Sequence, residues 1–251
     1  MTAHAHDTTT IGTTTTAGRP ARRLDAGSIR LTQRDIDGFM LAGEHYGVPS
    51  DLLAVALRVQ PARLTAITAR WRRAGYAATG RLGPGPAWYW LTRDGMTATG
   101  LGFPATRPSL GRLAHIRAVL AARLWLQAGE VWQQGRAWWH CERRLRADLP
   151  AAGRREHVPD AEIHWPSIDG SPYAGQVWAV EAELTPKPLE RTTRIMAGLL
   201  LPLRYAHVIY LTAPAARAVV KRAAAELPPA ERAQVVIRDL PPSAFTPEES
   251  S

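Results

Sequence analysis

Three carboxylates in the second half of the chain have the spacing expected of a cation site. Glu181 and Glu183 alternate with apolar residues in the stretch VWAVEAEL, which predicts a strand with both carboxylates on one face. Asp160, in a Pro159-Asp160 pair, could join them from a neighbouring strand. Converging carboxylates repel one another unless a hard cation compensates, and such a cation can activate water for attack on a phosphodiester. Asp160, Glu181 and Glu183 are therefore candidate ligands for Mg²⁺ or Mn²⁺; the alternative is an exposed sheet face with ordinary acidic residues.

A second candidate site is basic and lies in the first half of the chain. A helix is predicted from Pro61 to about Arg73, and no acidic residue occurs from Arg58 through Arg93. Arginine and threonine can contact phosphates, and arginine can also read guanine in the major groove. The sequence predicts a DNA-contacting surface whose outward side chains are Arg63, Thr65, Thr68, Arg70, Arg72, Arg73, Arg81 and Arg93.

The overall charge supports this interpretation. Residues 1–125 carry 16 basic and 7 acidic side chains, and residues 126–251 carry 15 of each, so the net charge of +9 comes entirely from the first half. A basic field confined to one part of a chain is typical of a surface that binds a polyanion. The alternative is codon bias, since 29 of the 31 basic residues are arginine, but that bias does not explain why acidic residues avoid the first half.

The elements that must position the basic residues are three helices and a hairpin. Helical periodicity begins at Leu31, with Thr32 as the first cap, and continues to Arg73. Residues 76–81 and 87–91 flank a GPGP turn and predict a β-hairpin with Arg81 at its tip. This order, followed by the phrase LTRDG, resembles the winged-helix domains of bacterial regulators. The alternative is a three-helix scaffold with an unrelated hairpin.

Strands and helices alternate in the second half, which predicts a mixed sheet covered by helices. The predicted class is α+β or α/β, with an N-terminal winged helix-turn-helix followed by that sheet. A helix is predicted to start at Ser109, and its apolar stripe could either pack in the core or form the interface of a homodimer. The predicted organisation is a disordered tail over 1–28, a winged-helix domain over 29–103, a second domain over 109–240 and a disordered tail over 241–251.

The second domain resembles the restriction-endonuclease-like fold. The resemblance depends on a helix with Glu142, the Pro159-Asp160 pair, and the strand bearing Glu181 and Glu183. That fold has a PD…(D/E)xK motif, and Glu183 stands where the motif has its lysine, which would position and activate the attacking water. Lys187 could reach the site from four residues later. The resemblance implies the catalytic set Glu142, Asp160, Glu181, Glu183 and Lys187, with Mg²⁺ or Mn²⁺ if the site is active.

Over residues 29–240 the chain resembles the actinobacterial replication-relaxation family. The shared features are the winged helix, a helix with His115 and Arg117, the W-x-x-E-x-x-L-R phrase from Trp139, Pro159-Asp160 and two acidic residues one apart. In that family the last motif is typically ExD rather than ExE. The resemblance implies a protein that binds double-stranded DNA of a plasmid or integrative element, in replication, relaxation or their regulation. The alternatives are an active metal-dependent nuclease or nickase, and a module that recruits replication or conjugation proteins.

Cysteine content and hydropathy bear on the compartment. The single Cys141 excludes an intramolecular disulfide and a cysteine-based zinc site, which favours the cytoplasm. The longest strongly apolar run, 195–203, is too short to span a bilayer, and the first residues lack the features of a signal peptide. We therefore expect a cytoplasmic protein without a membrane partner. His4 and His6 could contact a metal, but a pair of histidines in a tail is expected to be solvated.

Overall fold

The chain folds into two β-sheets flanked by helices. The computed structural model describes residues 30–149, 157–168, 171–200 and 204–246. The predicted α+β class is confirmed. The elements of the first half are α1 (Gln33–Glu44), β1 (Val48–Pro49), α2 (Ser50–Leu57), α3 (Pro61–Arg73), β2 (Ala77–Gly80), β3 (Trp88–Leu91) and α4 (Arg93–Thr99). Those of the second half are a 3₁₀ turn (Leu110–Arg112), α5 (Leu113–Ala128), α6 (Glu130–Gly135), β4 (Trp138–Cys141), α7 (Glu142–Asp148), β5 (Ala161–His164), β6 (Val177–Glu183), α8 (Leu189–Leu200), β7 (His207–Thr212), α9 (Pro214–Glu226), α10 (Pro229–Arg232), β8 (Val235–Asp239) and a second 3₁₀ turn (Pro242–Ala244).

Local sequence signals account for α1. Thr32 and Asp35 form a capping box, in which each side chain bonds the backbone N–H of the other residue. The helix stops at Glu44, because Tyr46 and Gly47 have φ angles of +66° and +154° and turn the chain into β1. The predicted cap is confirmed.

The hairpin follows α3 as predicted. β2 pairs antiparallel with β3, from Ala77 opposite Leu91 to Gly80 opposite Trp88, and β1 pairs with the other edge of β3. The phrase LTRDG then starts α4, where the Thr92 hydroxyl accepts a hydrogen bond from the backbone N–H of Gly95. A Cβ added to Gly95 would lie only 2.0 Å from the carbonyl oxygen of Tyr76, so the glycine allows α4 to contact the start of the hairpin.

The second sheet has five strands in the order β4-β5-β6-β7-β8. β4, β5 and β6 pair antiparallel, whereas β6, β7 and β8 pair parallel. One face of β6 and β7 packs against the core that contains α5, through residues such as Val180 and Leu211. The other face, which includes Ala179 and Tyr210, packs with α8 and α9. Glu181 and Glu183 lie on this second face, because strand side chains alternate.

The two halves of the chain share one hydrophobic core. A single cluster of buried residues extends from α1, α2 and α3 through α5 to the central strands of the second sheet. Buried Arg143 on α7 donates hydrogen bonds to the carbonyl oxygens of Gly43, at 2.5 Å, and Pro104, at 2.7 Å. α5 packs against both sheets and so connects the predicted domains over 29–103 and 109–240 through this core.

The structure corrects the predicted C-terminal tail and decides between the two alternatives for the apolar stripe of α5. Residues 241–246 are not a tail: Ala244 is buried, and the carbonyl oxygen of Phe245 accepts a hydrogen bond from Arg117 on α5. The apolar stripe of α5, from Ile116 to Ala122, is buried within the chain, so a homodimer would need another surface. The tail predicted over 1–28 lies outside the described residues.

Among the described residues, no single helix is long and apolar enough to cross a membrane. Only α2 and α3 taken together reach the required length and hydropathy, and they meet at a bend of 100°.

Candidate functional site

The exposed face of α3 and the adjoining hairpin form a surface of arginines, which we call the basic surface. Arg63, Arg72 and Arg73 are exposed on α3, Arg81 is exposed after β2, and Arg93 is exposed at the start of α4. None of the five forms an ion pair with another described residue. Thr65 is also exposed, although its hydroxyl donates to the carbonyl oxygen of Pro61 at 3.1 Å.

Two residues predicted for this surface are placed differently. Thr68 is buried, and its hydroxyl lies 2.9 Å from the carbonyl oxygen of Leu64 and 3.2 Å from the Tyr89 hydroxyl. The prediction that Thr68 faces outward is wrong, because it falls on the same side of the helix as Leu64 and Trp71. Arg70 is only partly exposed and forms an ion pair with Asp35 of α1.

Sequence reasoning missed Arg34, which belongs to the same surface. Arg34 is exposed in the first turn of α1 and lines a cleft of about 210 Å³ with Arg63 and Arg70, at the junction of α1 and α3. It lies immediately before the capping residue Asp35, and no local pattern indicates that this turn lies beside α3. The basic surface thus extends onto the start of α1.

The predicted carboxylate site is built on β5 and β6. These strands are neighbours, with Ala161 opposite Val180, so Asp160 lies beside the segment that carries Glu181 and Glu183. The Asp160 carboxylate accepts a hydrogen bond from the backbone N–H of Ala182 at 2.8 Å. We call Asp160, Glu181 and Glu183 the acidic cluster.

Each carboxylate of the acidic cluster has a basic partner. Glu183 forms an ion pair with Lys187, which reaches back from four residues later. Glu181 lies 2.6 Å from His157 Nε2, and Asp160 lies 2.8 Å from Nε2 of His115 on α5. One lysine and two imidazoles therefore lie beside the three carboxylates. They can supply the positive charge that a divalent cation would otherwise provide.

Burial and charge make Glu181 the most perturbed member of the cluster. Burial and, to a smaller extent, the negative charge of Asp160 outweigh the opposing contact with His157, and together they raise the pKa of Glu181 to about 7. The hydrogen bond with Glu181 raises the pKa of His157 above its ordinary value of 6.5. Near neutral pH, this pair can therefore hold or release a proton.

Tyr210 lies directly opposite Glu181 on β7. Its side chain is almost fully buried, and its hydroxyl has no hydrogen-bond partner among the described residues. Burial raises the pKa of Tyr210 well above its ordinary value, and the charges of Glu181, Glu183 and Asp160 add to this effect. An unpaired buried hydroxyl beside carboxylates fits a site that takes up a further polar ligand, such as water or a hydrated cation.

Glu142, the fourth predicted carboxylate, starts α7 and lines a narrow cleft with His115 and Asp160. Arg112 and Arg146 both donate to its carboxylate, at 2.6 and 2.8 Å. Two guanidinium groups already neutralise the Glu142 carboxylate. Glu142 is therefore better suited to hold neighbouring side chains in place than to bind a metal ion. His157 and Tyr210 were not predicted, because only the folded chain brings them to the cluster: the register of β6 with β7 places Tyr210, and the path of the segment before β5 places His157.

The chain was also compared with known proteins. No protein-family model and no curated protein sequence matches it. Its function is therefore inferred from the geometry and chemistry of these side chains.

Proposed function

We propose that this protein binds double-stranded DNA through the basic surface and acts on plasmid or integrative-element DNA, in replication, relaxation or their regulation. The observation that carries the DNA-binding proposal is the exposed arginine face of α3, where Arg63, Arg72 and Arg73 have no carboxylate partner among the described residues. Such a face gains free energy from the release of counterions when it neutralises phosphates. The role on a mobile element rests on the family resemblance.

The surrounding elements support a winged-helix mode of binding. α1, β1, α2 and α3 are followed by the β2–β3 hairpin, and the three strands form one small sheet. In this mode α3 enters the major groove, and Arg63 and Thr65, the first exposed polar residues of the helix, contact base edges. Arg81 in the hairpin connection and Arg34 in α1 would contact the flanking backbone.

A gel-shift titration of the full chain at several salt concentrations tests DNA binding. We expect affinity to fall steeply as salt rises, and the double variant Arg63→Ala/Arg72→Ala to bind about 10-fold or more weakly with a shallower salt dependence. Arg222→Ala is the matched control, because Arg222 is exposed on α9, away from α3. Equal affinity of the double variant and the control would contradict the proposal.

A second candidate function is metal-dependent cleavage of DNA, and the ion pair between Lys187 and Glu183 favours it. This contact supplies, from a different position, the lysine that the (D/E)xK pattern lacks. Asp160, Glu181 and Glu183 would hold Mg²⁺ or Mn²⁺, which would supply Lewis acidity and a more acidic bound water. Lys187 would balance the charge of Glu183, and the Glu181–His157 pair would accept a proton.

Incubation of supercoiled plasmid with the protein and Mg²⁺ or Mn²⁺ distinguishes binding alone from cleavage. Cleavage predicts nicked product that Asp160→Asn abolishes and Lys187→Ala reduces by about 100-fold or more. Both variants should keep the wild-type gel shift, since neither residue belongs to the basic surface. Intact plasmid under all these conditions, together with a normal gel shift, would leave DNA binding as the function and remove the nuclease candidate.

A further inference from the structure

Two histidines and a glutamate from β4 and β5 form a compact group apart from the acidic cluster. His140 pairs directly with Glu162, and His164 is two residues beyond Glu162 on the same strand, so all three side chains share one face. Their ligand atoms all lie within 4.8 Å of one another, and this is the one such group among the residues that the structure describes. Zinc bonds to nitrogen and oxygen are about 2.0–2.2 Å long, so small side-chain rotations would let the three atoms share one ion.

Hydrogen bonds hold the Glu162 carboxylate in a fixed orientation, as is common for metal ligands. Glu162 is buried, and one carboxylate oxygen accepts hydrogen bonds from the Tyr205 hydroxyl at 2.5 Å and from Arg204 at 2.9 Å. Its other oxygen lies 2.8 Å from Nε2 of His164. Protein metal ligands are commonly fixed by such outer hydrogen bonds, which leave the inner oxygen directed at the ion.

Trp138 covers the group from the solvent side. Its indole stacks on His164 with ring centroids 5.6 Å apart, and its N–H donates to His140 Nε2 at 3.1 Å. Trp138 is 45% exposed, so its indole can turn away without disturbing the core. That movement uncovers the lone pair of His140.

We propose that His140, Glu162 and His164 bind one Zn²⁺ ion per chain. Imidazole and carboxylate are established zinc ligands, and a two-histidine, one-carboxylate set leaves a fourth tetrahedral position for water or a substrate oxygen. Neutral imidazoles and an oxygen donor suit Zn²⁺ better than Mg²⁺ or Ca²⁺, which prefer oxygen ligands alone. The site is separate from the acidic cluster and does not depend on the proposed DNA-binding function.

The test is a calorimetric titration of the chelator-treated full chain with ZnCl₂, with the metal content measured after dialysis. We expect one Zn²⁺ per chain, and a visible absorption band of a tetrahedral site when Co²⁺ replaces Zn²⁺. His140→Ala and His164→Ala should weaken binding by about 100-fold or more, and Tyr205→Phe by about 10–100-fold, because it removes a hydrogen bond that orients Glu162.

Two controls separate this site from other metal-binding groups. The double variant His4→Ala/His6→Ala removes the histidines of the N-terminal segment, which lie outside the described residues, and Asp160→Asn alters the acidic cluster; both should bind Zn²⁺ like the wild type. The proposal is overturned if the wild type binds no stoichiometric Zn²⁺, if His140→Ala and His164→Ala retain full affinity, or if the His4/His6 variant loses it. If either alanine variant fails to fold, the Co²⁺ spectrum of the wild type decides the matter, since the absence of tetrahedral nitrogen and oxygen coordination excludes the site.

Discussion

At the scale of single residues, Asp35 connects the first and third helices. Its buried carboxylate accepts hydrogen bonds from the backbone N–H of Thr32 at 2.8 Å and from the Trp71 indole at 2.7 Å, and it pairs with Arg70. Burial raises the pKa of Asp35, but the bonds from Thr32, Trp71 and Arg70 outweigh burial and hold it below its ordinary value of 3.8. One side chain therefore closes the helix cap and fixes the orientation of α3.

Asp35→Ala should lower the free energy of unfolding by about 3 kcal/mol, because it leaves the indole N–H unpaired and removes the cap. Urea denaturation measures this loss, and Asp37→Ala, at an exposed position of the same helix, should change stability by less than about 0.5 kcal/mol. Since the folded pKa of Asp35 is lowered, its contribution is complete above about pH 4 and is lost as pH falls through the folded pKa. A difference between Asp35→Ala and wild type that stays constant down to pH 2 would contradict this account.

Glu181 shows the opposite behaviour, because its pKa is raised to about 7 by burial and by Asp160. The folded state holds a proton that the unfolded state has released between about pH 4.5 and 7, so stability should fall as pH rises through this range. Glu181→Gln removes the buried negative charge and should stabilise the fold at pH 8 by about 2 kcal/mol. This corresponds to a rise in Tm of about 5 °C, since 1 kcal/mol shifts the Tm of a chain of this size by about 2–4 °C. Thermal melts at pH 5 and pH 8 measure the effect.

Glu190→Gln is the control for Glu181, since Glu190 is exposed and forms a surface ion pair with Arg194. Its Tm should differ little from that of the wild type at either pH. If Mg²⁺ or Mn²⁺ binds the acidic cluster, either ion should raise the Tm of the wild type at pH 8 and not that of Glu181→Gln. A Glu181→Gln protein that is less stable than the wild type at pH 8 would show that the ionised carboxylate is needed for folding.

At the scale of elements, the contact between α4 and the hairpin explains the glycine of LTRDG. The backbone N–H of Thr92 donates to the carbonyl oxygen of Tyr76 at 3.0 Å, and this brings Gly95 against the same carbonyl. The close approach fixes the position at which the hairpin leaves α3. The hairpin and the basic surface therefore depend on a residue that makes no contact with DNA in the proposed complex.

Gly95→Ala should cost about 2–3 kcal/mol of stability, because the new methyl group meets a backbone atom that cannot rotate away. Gly111→Ala is the control, since a Cβ at Gly111 meets no atom within 4 Å. Urea denaturation of both variants measures the difference. Equal stability of the two would mean that α4 shifts freely relative to the hairpin.

At the scale of the whole molecule, a shared core joins the two halves of the chain. Arg143 joins them, since its guanidinium lies over the rings of Tyr46, at 4.3 Å, and Phe103, at 4.7 Å, in addition to its two bonds to backbone carbonyls. Arg123 on α5 contacts Glu44 and His45 at the end of α1. The basic surface and the acidic cluster are thus fixed relative to one another.

We expect a single unfolding transition, identical by near-UV and far-UV circular dichroism. Arg143→Ala should lower stability by about 2–4 kcal/mol, because it removes the donor to the Gly43 carbonyl, one of the two donors to the Pro104 carbonyl, and two cation–π contacts. Arg146→Ala, one turn along the same helix and half exposed, should cost at most about 0.5 kcal/mol. Two separate transitions in the wild type would show that the halves fold independently.

The sequence by itself determined the local structure, because caps, turns and periodicity depend on residues a few positions apart. Thr32 and Asp35 predicted the start of α1, the GPGP turn predicted the hairpin, and the alternation around Glu181 predicted a strand with both carboxylates on one face. The fold class followed from the alternation of helices and strands. Lys187 was within reach of prediction because it lies four residues from Glu183.

Only the tertiary structure decided which distant residues meet. The register of β5 on β6 brings Asp160 to Glu181, the packing of α5 brings His115 to Asp160, and the pairing of β4 with β5 joins His140 to Glu162. These contacts depend on packing between segments that are far apart in the sequence. Local patterns of residues do not show which of these segments pack together. The same reason explains the shared core and the burial of Thr68, since which side of a helix is covered is set by the elements that pack on it.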